Sequence, residues 1–118
     1  MSSSDLIRIS ETKIDAIIDG DKIVNNKEII NNFFKNIVYK RKDKITLLVY
    51  KNDGEINFYT VEYNGKKIIF TIIKREKGKN LKITYVGDRV IKETTKEYVY
   101  YKLYRGIEFI EHIVTYKQ

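Results

Sequence analysis

Cysteine and proline are both absent from the 118 residues of this sequence, and it contains no long apolar run. The lack of cysteine excludes disulfides, thiolate nucleophiles and cysteine zinc sites, although it does not decide the cellular compartment. The lack of proline fits a continuous ladder of β-hairpins, because proline cannot donate to such a ladder. No stretch approaches the roughly 20 apolar residues of a membrane-spanning helix, so the apolar residues are expected to form the core of a folded domain.

Residues that commonly perform catalysis are few. His112 is the only histidine, and strand alternation places it on one face with Ile110 and Val114, which favours a packed side chain over a general base. The serines all lie within residues 2–10, so a Ser-His-acid triad is not expected. Phosphate-binding glycine loops and zinc-protease helix motifs are missing. We therefore predict that the protein is not an enzyme and has no catalytic residues.

The carboxylates form no recognisable acid/base pair or metal site. Glu108 and Glu111 are three residues apart, which on a strand directs them to opposite faces. Asp15, Asp19 and Asp21 are the densest acidic group, but they lack the ligand spacing and the closing glutamate of a calcium loop. We interpret residues 19–21 as a polar turn. No metal and no cofactor is predicted.

Residues 26–39 form the only convincing helical pattern. Asn25 or Asn26 is expected to cap the first turn, where Glu28 suits the positive end of the helix dipole. We expect the two phenylalanines to pack against a sheet. The apolar residues recur at the spacing of one helix stripe, and they are Ile29, Ile30, Phe33, Phe34, Ile37 and Val38.

After the helix, the apolar pattern changes to the alternation of β-strands. Asn52-Asp53-Gly54 and Asn64-Gly65 are strong hairpin signals. Residues 66–74 are apolar on both faces, which indicates a strand inside the sheet. Later glycine-containing turns lead into two long strands, expected at residues 90–104 and 107–116.

These patterns predict an α+β fold, in which one amphipathic helix packs on a curved antiparallel β-meander of about six strands. Residues 1–118 are expected to form a single domain, because the sequence contains no linker or low-complexity segment. Residues 1–5 are expected to form a flexible tail. Residues 5–18 alternate loosely and are predicted as a strand or as an arm lying on the domain.

The net charge of +7 would attract nucleic acid or an anionic membrane surface. Residues 35–51 carry six basic side chains and one acidic one, and residues 66–82 carry seven and one. Lysines on strand faces also prevent edge-to-edge pairing, which is the interpretation we favour over a nucleic-acid surface.

Tyrosine is the unusual feature of the sequence. The predicted strand at residues 90–104 directs tyrosines and lysines to one face, and Tyr101 to the other with its apolar neighbours. Such a face could stack bases, could simply suit a half-buried sheet, or could bind a protein. The candidate interaction face consists of Lys96, Tyr98, Tyr100, Lys102 and Tyr104.

Several short segments resemble the uncharacterised bacterial family DUF4362. The similar segments are residues 15–25 in part, 42–45, 61–68 and 101–103, in the order that the family shows. Two departures occur: the family's turn with proline is Asn52-Asp53-Gly54-Glu55 here, and Gly87 and Gly106 stand where members often carry two cysteines. The resemblance implies a small exported domain, often part of a lipoprotein, with no assigned activity. Residues 2–4 would then be the polar spacer after a removed signal and a lipid-bearing cysteine.

We therefore expect a non-catalytic binding or interaction domain, the soluble part of a bacterial cell-surface lipoprotein. It would bind an unknown protein or cell-envelope partner or form a homodimer, and would reach the membrane only through a removed lipid anchor. This interpretation implies an extracytoplasmic location. The alternative is a basic cytoplasmic protein that binds nucleic acid or acts as an immunity or inhibitor protein.

Overall fold

The computed structural model describes residues 13–118. The tail predicted for residues 1–5, the serines, and residues 5–12 of the predicted strand or arm lie outside this part. The described residues form one helix and nine strands. The helix α1 is Lys27–Val38, and the strands are β1 Ala16–Asp19, β2 Lys22–Asn25, β3 Asp43–Tyr50, β4 Ile56–Tyr63, β5 Ile68–Glu76, β6 Lys79–Gly87, β7 Arg89–Thr94, β8 Tyr98–Arg105 and β9 Glu108–Lys117.

The strands form two sheets. The first has six strands in the order β2-β1-β3-β4-β5-β6, and the second has three strands in the order β7-β8-β9. The predicted α+β class with largely antiparallel pairing is confirmed. The single meander of about six strands is wrong, because the last three strands form a sheet of their own.

One strand pair in the first sheet is parallel. β1 runs alongside β3, with Ala16 opposite Leu47 and Asp19 opposite Tyr50. A parallel pair needs a crossover connection, and here β2 and α1 supply it. The turn predicted at residues 19–21 is confirmed, and it joins β1 to the antiparallel β2.

The chain passes from the first sheet to the second at Gly87 and Asp88. A Cβ atom at Gly87 would lie 2.5 Å from the carbonyl oxygen of Tyr104, so glycine is required for this approach of β6 to β8. The Asp88 amide donates to the same oxygen over 2.9 Å. This tight turn redirects the chain, so that β7 begins a new sheet.

A second turn interrupts the strand predicted over residues 90–104. The Thr95 hydroxyl oxygen accepts from the Tyr98 amide over 3.0 Å, and the Thr95 amide donates to the Tyr98 carbonyl over 2.8 Å. A threonine hydroxyl can therefore build a turn without glycine or proline. The sequence prediction missed it because it relied on those two residue types.

The helix lies in the core between the two sheets. Phe33 and Phe34 are fully buried, as predicted, while Ile29 is 39% and Val38 73% exposed. The buried stripe is therefore narrower than the predicted one. No helix within residues 13–118 has the length and apolar character needed to cross a membrane.

The two asparagines before the helix act differently from the prediction. Asn26 occupies the cap position in a left-handed conformation, but its side chain makes no capping bond and instead donates to the Asp15 carbonyl. The Asn25 side chain accepts from the Ile17 amide over 2.9 Å. Both side chains thus fasten the start of α1 to β1.

Candidate functional site

The alternation of β8 divides its side chains between the core and the outer face of the second sheet. Val99, Tyr101 and Leu103 are buried, whereas the other tyrosines and Lys102 are half-buried on the outer face. Lys96 does not share this face by alternation, because it lies exposed in the turn between β7 and β8. The structure therefore brings together Tyr98, Tyr100, Lys102 and Tyr104 from the candidate set.

The outer face carries a continuous row of aromatic rings, which we call the aromatic strip. Neighbouring ring centroids lie 5.1–6.0 Å apart along the row, and their planes differ by 39–72°. β9 contributes two of the five rings, which the sequence analysis did not assign to this face. In order, the strip is Tyr98, Tyr100, His112, Phe109 and Tyr104.

Two irregularities in β9 explain why these rings were missed. Tyr101 is paired with Val114, but the next residue, Lys102, is paired with His112, so that Ile113 is an extra residue in a bulge. A bulge shifts the alternation by one position. The prediction that His112 packs on one face with Val114 is therefore wrong: Val114 is buried and His112 is exposed.

Charged residues on this face are largely paired with each other. Lys102 Nζ lies 2.5 Å from Glu93 Oε2, and this hydrogen bond raises the pKa of Lys102. Arg105 lies 3.8 Å from Glu108 at the end of the strip. At the other end the Tyr98 hydroxyl donates to Asp21 over 3.3 Å, and the Asp21 carboxylate raises the pKa of this phenol.

A second feature is a cleft of about 390 Å³ between β9 and the inner face of the six-stranded sheet. Tyr59, Ile72 and Tyr85 lie on its floor, and residues 111–115 form the wall. The bulges direct Glu111 to this inner side, because it is paired with the buried Leu103. The cleft is therefore formed by strands that are distant from each other in the sequence.

The floor of the cleft is aromatic. Phe70 lies between two tyrosine rings, 5.3 Å from Tyr59 and 6.0 Å from Tyr85 by centroid distance. Burial and the neighbouring Glu111 carboxylate raise the pKa of Tyr85. The phenol of Tyr85 therefore stays protonated at neutral pH and donates its hydrogen bond to Glu111.

Asn57 is the most unusual residue of the cleft. It lies on the inner face of β4, paired with Val49 and Lys74, and is 3% exposed. Its Oδ1 atom is buried without any hydrogen-bond partner. A buried acceptor left unpaired costs about 1–3 kcal/mol, so such groups are rare unless they serve a purpose. The sequence does contain a signal for this position: alternation along β4 places Asn57, a polar residue, on the same face as Val61 and Tyr63.

The aspartates near the first turn have separate structural roles. Asp15 accepts from the Thr46 amide over 2.8 Å, and Asp21 accepts from Tyr98. Asp19 ends β1 at an exposed position. Within residues 13–118, no group of three or more histidine and carboxylate side chains lies close enough to hold a metal ion.

The two basic segments meet only in part. The Lys42 side chain lies beside Gly65, so the cations after α1 meet Lys66 and Lys67 at one end of the molecule. Lys77 lies beyond the other end of β5, whose nine residues span about 30 Å. The basic residues of segment 66–82 are thus separated by the length of the sheet.

The likeness to the bacterial family described above rests on the short segments named there, and it stays a prediction. A scan against protein-family models, a search of curated proteins and a search of solved structures all returned no match for this chain.

Proposed function

We propose that this protein is a non-catalytic binding domain and that the cleft between its two sheets is the ligand site. The single observation that supports this most is the buried, unpaired Oδ1 of Asn57, a residue that lines the cleft. This atom has less than 1 Å² of accessible surface, so a ligand reaches it only when the amide turns toward the cleft, and a hydrogen bond donated there would remove the cost of the unpaired acceptor. Aromatic rings with a few polar groups are also the usual lining of small-molecule sites, whose volumes start near about 300 Å³.

The arrangement of the residues favours binding over catalysis. The imidazole of His112 contacts Tyr100 and Phe109 on the outer face, on the other side of β9 from Glu111. A general base has to lie within hydrogen-bond reach of the group that it deprotonates. Residue 112 belongs to the cleft wall, but its imidazole packs against rings of the outer face, which disfavours a general-base role toward a ligand in the cleft.

The binding function can be tested by a fragment screen with nuclear magnetic resonance. Fragments should shift the amide signals of Asn57, Tyr85 and Glu111, and the same shifts should be weak in Asn57→Leu, which keeps the shape and removes the amide. Asn32→Leu is the matched control, because Asn32 is exposed on the helix. A screen without signals at the cleft, or equal binding by Asn57→Leu, would contradict the proposal.

The aromatic strip supports a second function, which is self-association into a homodimer. Phe109 is 44% exposed and Ile107, at the adjoining turn, 96%. Rings inclined by 39–72° offer no flat platform for stacked bases, whereas they suit an irregular protein surface. A symmetric dimer places a patch against itself, so the patch needs both charge signs. The Lys102–Glu93 and Arg105–Glu108 pairs provide them.

We further propose an extracytoplasmic location, with the protein as part of a cell-surface lipoprotein. In that location a partner from the cell envelope, and not a second copy of the chain, could bind the aromatic strip. The support is the sequence resemblance alone. The test is the genomic sequence upstream of Met1, where a hydrophobic run ending in a lipid-modifiable cysteine is expected. A ribosome-binding site directly before Met1 would favour the cytoplasmic alternative.

A further inference from the structure

We infer that the ligand of the cleft is a neutral polyhydroxylated molecule, a saccharide of one or two rings. This inference rests on the proposed binding function and specifies its ligand class. Three independent properties of the cleft lead to it: the balance of charge, the aromatic floor and the unpaired amide.

The charge of the lining is balanced. Lys51 and Lys74 contribute two positive charges, and Glu55 and Glu111 contribute two negative ones. A phosphate-bearing ligand would meet both carboxylates, and a polyamine would meet both ammonium groups. Because like charges at short range oppose binding, the cleft disfavours strongly charged ligands of either sign. A neutral ligand that both donates and accepts hydrogen bonds is compatible with this mixed lining.

The floor of the cleft provides an aromatic surface that suits the flat side of a sugar ring. Tyr59 and Tyr85 flank Phe70, and both tyrosines line the cleft. The face of an aromatic ring is negative, so it attracts the weakly positive C–H groups on the flat side of a sugar ring. The volume of about 390 Å³ lies near the lower end for small-molecule sites, which limits the ligand to one or two rings.

The third property is the buried amide of Asn57. Its buried Oδ1 requires a donor. A hydroxyl group can supply that donor and can accept from Lys51 through its oxygen. Few other neutral groups offer donors and acceptors at such density, and a purely apolar ligand would leave Oδ1 unpaired.

The test compares ligand classes on the whole chain by titration with nuclear magnetic resonance. The probes are glucose, N-acetylglucosamine, maltose and chitobiose, with inorganic phosphate and putrescine as charged counterparts, each up to about 10 mM because weak sites bind in the millimolar range. At least one saccharide should shift the amides of Asn57, Tyr85 and Glu111. Asn57→Leu should weaken its binding about tenfold, the effect of one lost hydrogen bond. Tyr85→Ala should abolish it, and Asn32→Leu should leave it unchanged.

Binding of phosphate or putrescine at the cleft without saccharide binding would overturn the inferred class and leave the proposed function standing. Saccharide binding that is equal in Asn57→Leu would also overturn it, because the sugar would then occupy another place. Absence of saccharide binding overturns the inference in every case. The proposed function falls with it only if the fragment screen gives no signal at the cleft either.

Discussion

The rings of Phe34 and Tyr101 are stacked, with centroids 3.9 Å apart and planes inclined by 9°. This contact joins α1 to β8, the central strand of the second sheet. The Tyr101 hydroxyl donates to Asn31 on the same helix over 2.9 Å, and the Tyr116 hydroxyl from β9 does so over 3.3 Å. The helix is therefore held to the second sheet by ring stacking and by hydrogen bonds to one amide oxygen.

Removal of the Phe34 ring should destabilise the fold strongly. We expect Phe34→Ala to lower the free energy of unfolding by about 3–5 kcal/mol, because it leaves a cavity where the ring was. Phe33→Ala should have a similar effect, since Phe33 is 1% exposed. Urea denaturation measures both, with the exposed Val38→Ala as a control expected within about 0.5 kcal/mol of wild type. Alanine variants as stable as wild type would show that the helix is not packed between the sheets.

The phenol of Tyr101 should make the protein sensitive to alkali. Burial and the neighbouring Tyr116 raise the pKa of Tyr101 from 10.0 to about 12. Below pH 10 the folded and the unfolded chain both keep this proton, so the contribution of Tyr101 to the free energy of unfolding is fully present. Between pH 10 and about 12 the unfolded chain releases the proton first, so this free energy falls as the pH rises. At about pH 11 the loss from this residue should be about 1.4 kcal/mol.

Urea denaturation at about pH 9 and about pH 11 checks this effect. Tyr101→Phe loses the bond to Asn31 and should be less stable at both values, but the drop between them should be smaller than in wild type. An equal drop in the two proteins would assign the alkaline sensitivity to other tyrosines.

A variant of Asn57 should be more stable than wild type when no ligand is present. Asn57→Leu replaces a buried amide whose Oδ1 is unpaired with an apolar side chain of similar shape. We expect the free energy of unfolding to rise by about 1 kcal/mol, because the desolvation cost disappears. Thermal melting measures the change, and Asn32→Leu serves as the control for the substitution itself. A lower melting temperature in Asn57→Leu would mean that the amide stabilises the fold.

The aromatic strip should be dispensable for folding and necessary for self-association. Tyr100→Ala combined with Tyr104→Ala removes two half-buried rings from the outer face and none from the core. The double variant should keep a cooperative melting transition but sediment as a monomer at concentrations where wild type is a dimer. Monomeric wild type, or retained dimer in the variant, would contradict the homodimer and leave a cell-envelope partner as the alternative. Collapse of the fold would show that these rings are core residues.

Nucleic acid should bind only weakly. The lysines of residues 66–82 lie at two ends of β5, and Lys102 is paired with Glu93. We expect binding to a single strand to vanish near physiological salt, because each phosphate contact contributes a slope of about −0.7 in the log–log salt dependence. A fluorescence-polarisation titration measures this slope. Sub-micromolar affinity at physiological salt would support the nucleic-acid alternative.

Elements whose conformation is determined by residues adjacent in the sequence could be predicted from the sequence. The helix was located to within one residue at each end, because its apolar period is local. The hairpin at Asn64-Gly65 was found for the same reason: the residues that allow its backbone geometry lie in the turn itself. The inward direction of Tyr101 followed from alternation within a single strand.

Tertiary structure decided the rest, because it depends on pairings between distant strands. The close approach of Gly87 to Tyr104 ends the first sheet, and no local pattern reveals this contact. The bulge at Ile113 places His112 on the outer face, where a regular strand would have buried it. The sequence by itself determined a helix, a set of hairpins and an apolar face on each strand. The row of rings forms within the β8–β9 hairpin, but Phe109 and His112 belong to it only because of the bulges in the pairing of these strands. The cleft around Asn57 arises only when five strands of one sheet and one strand of the other come together, since the residues that line it are far apart along the chain.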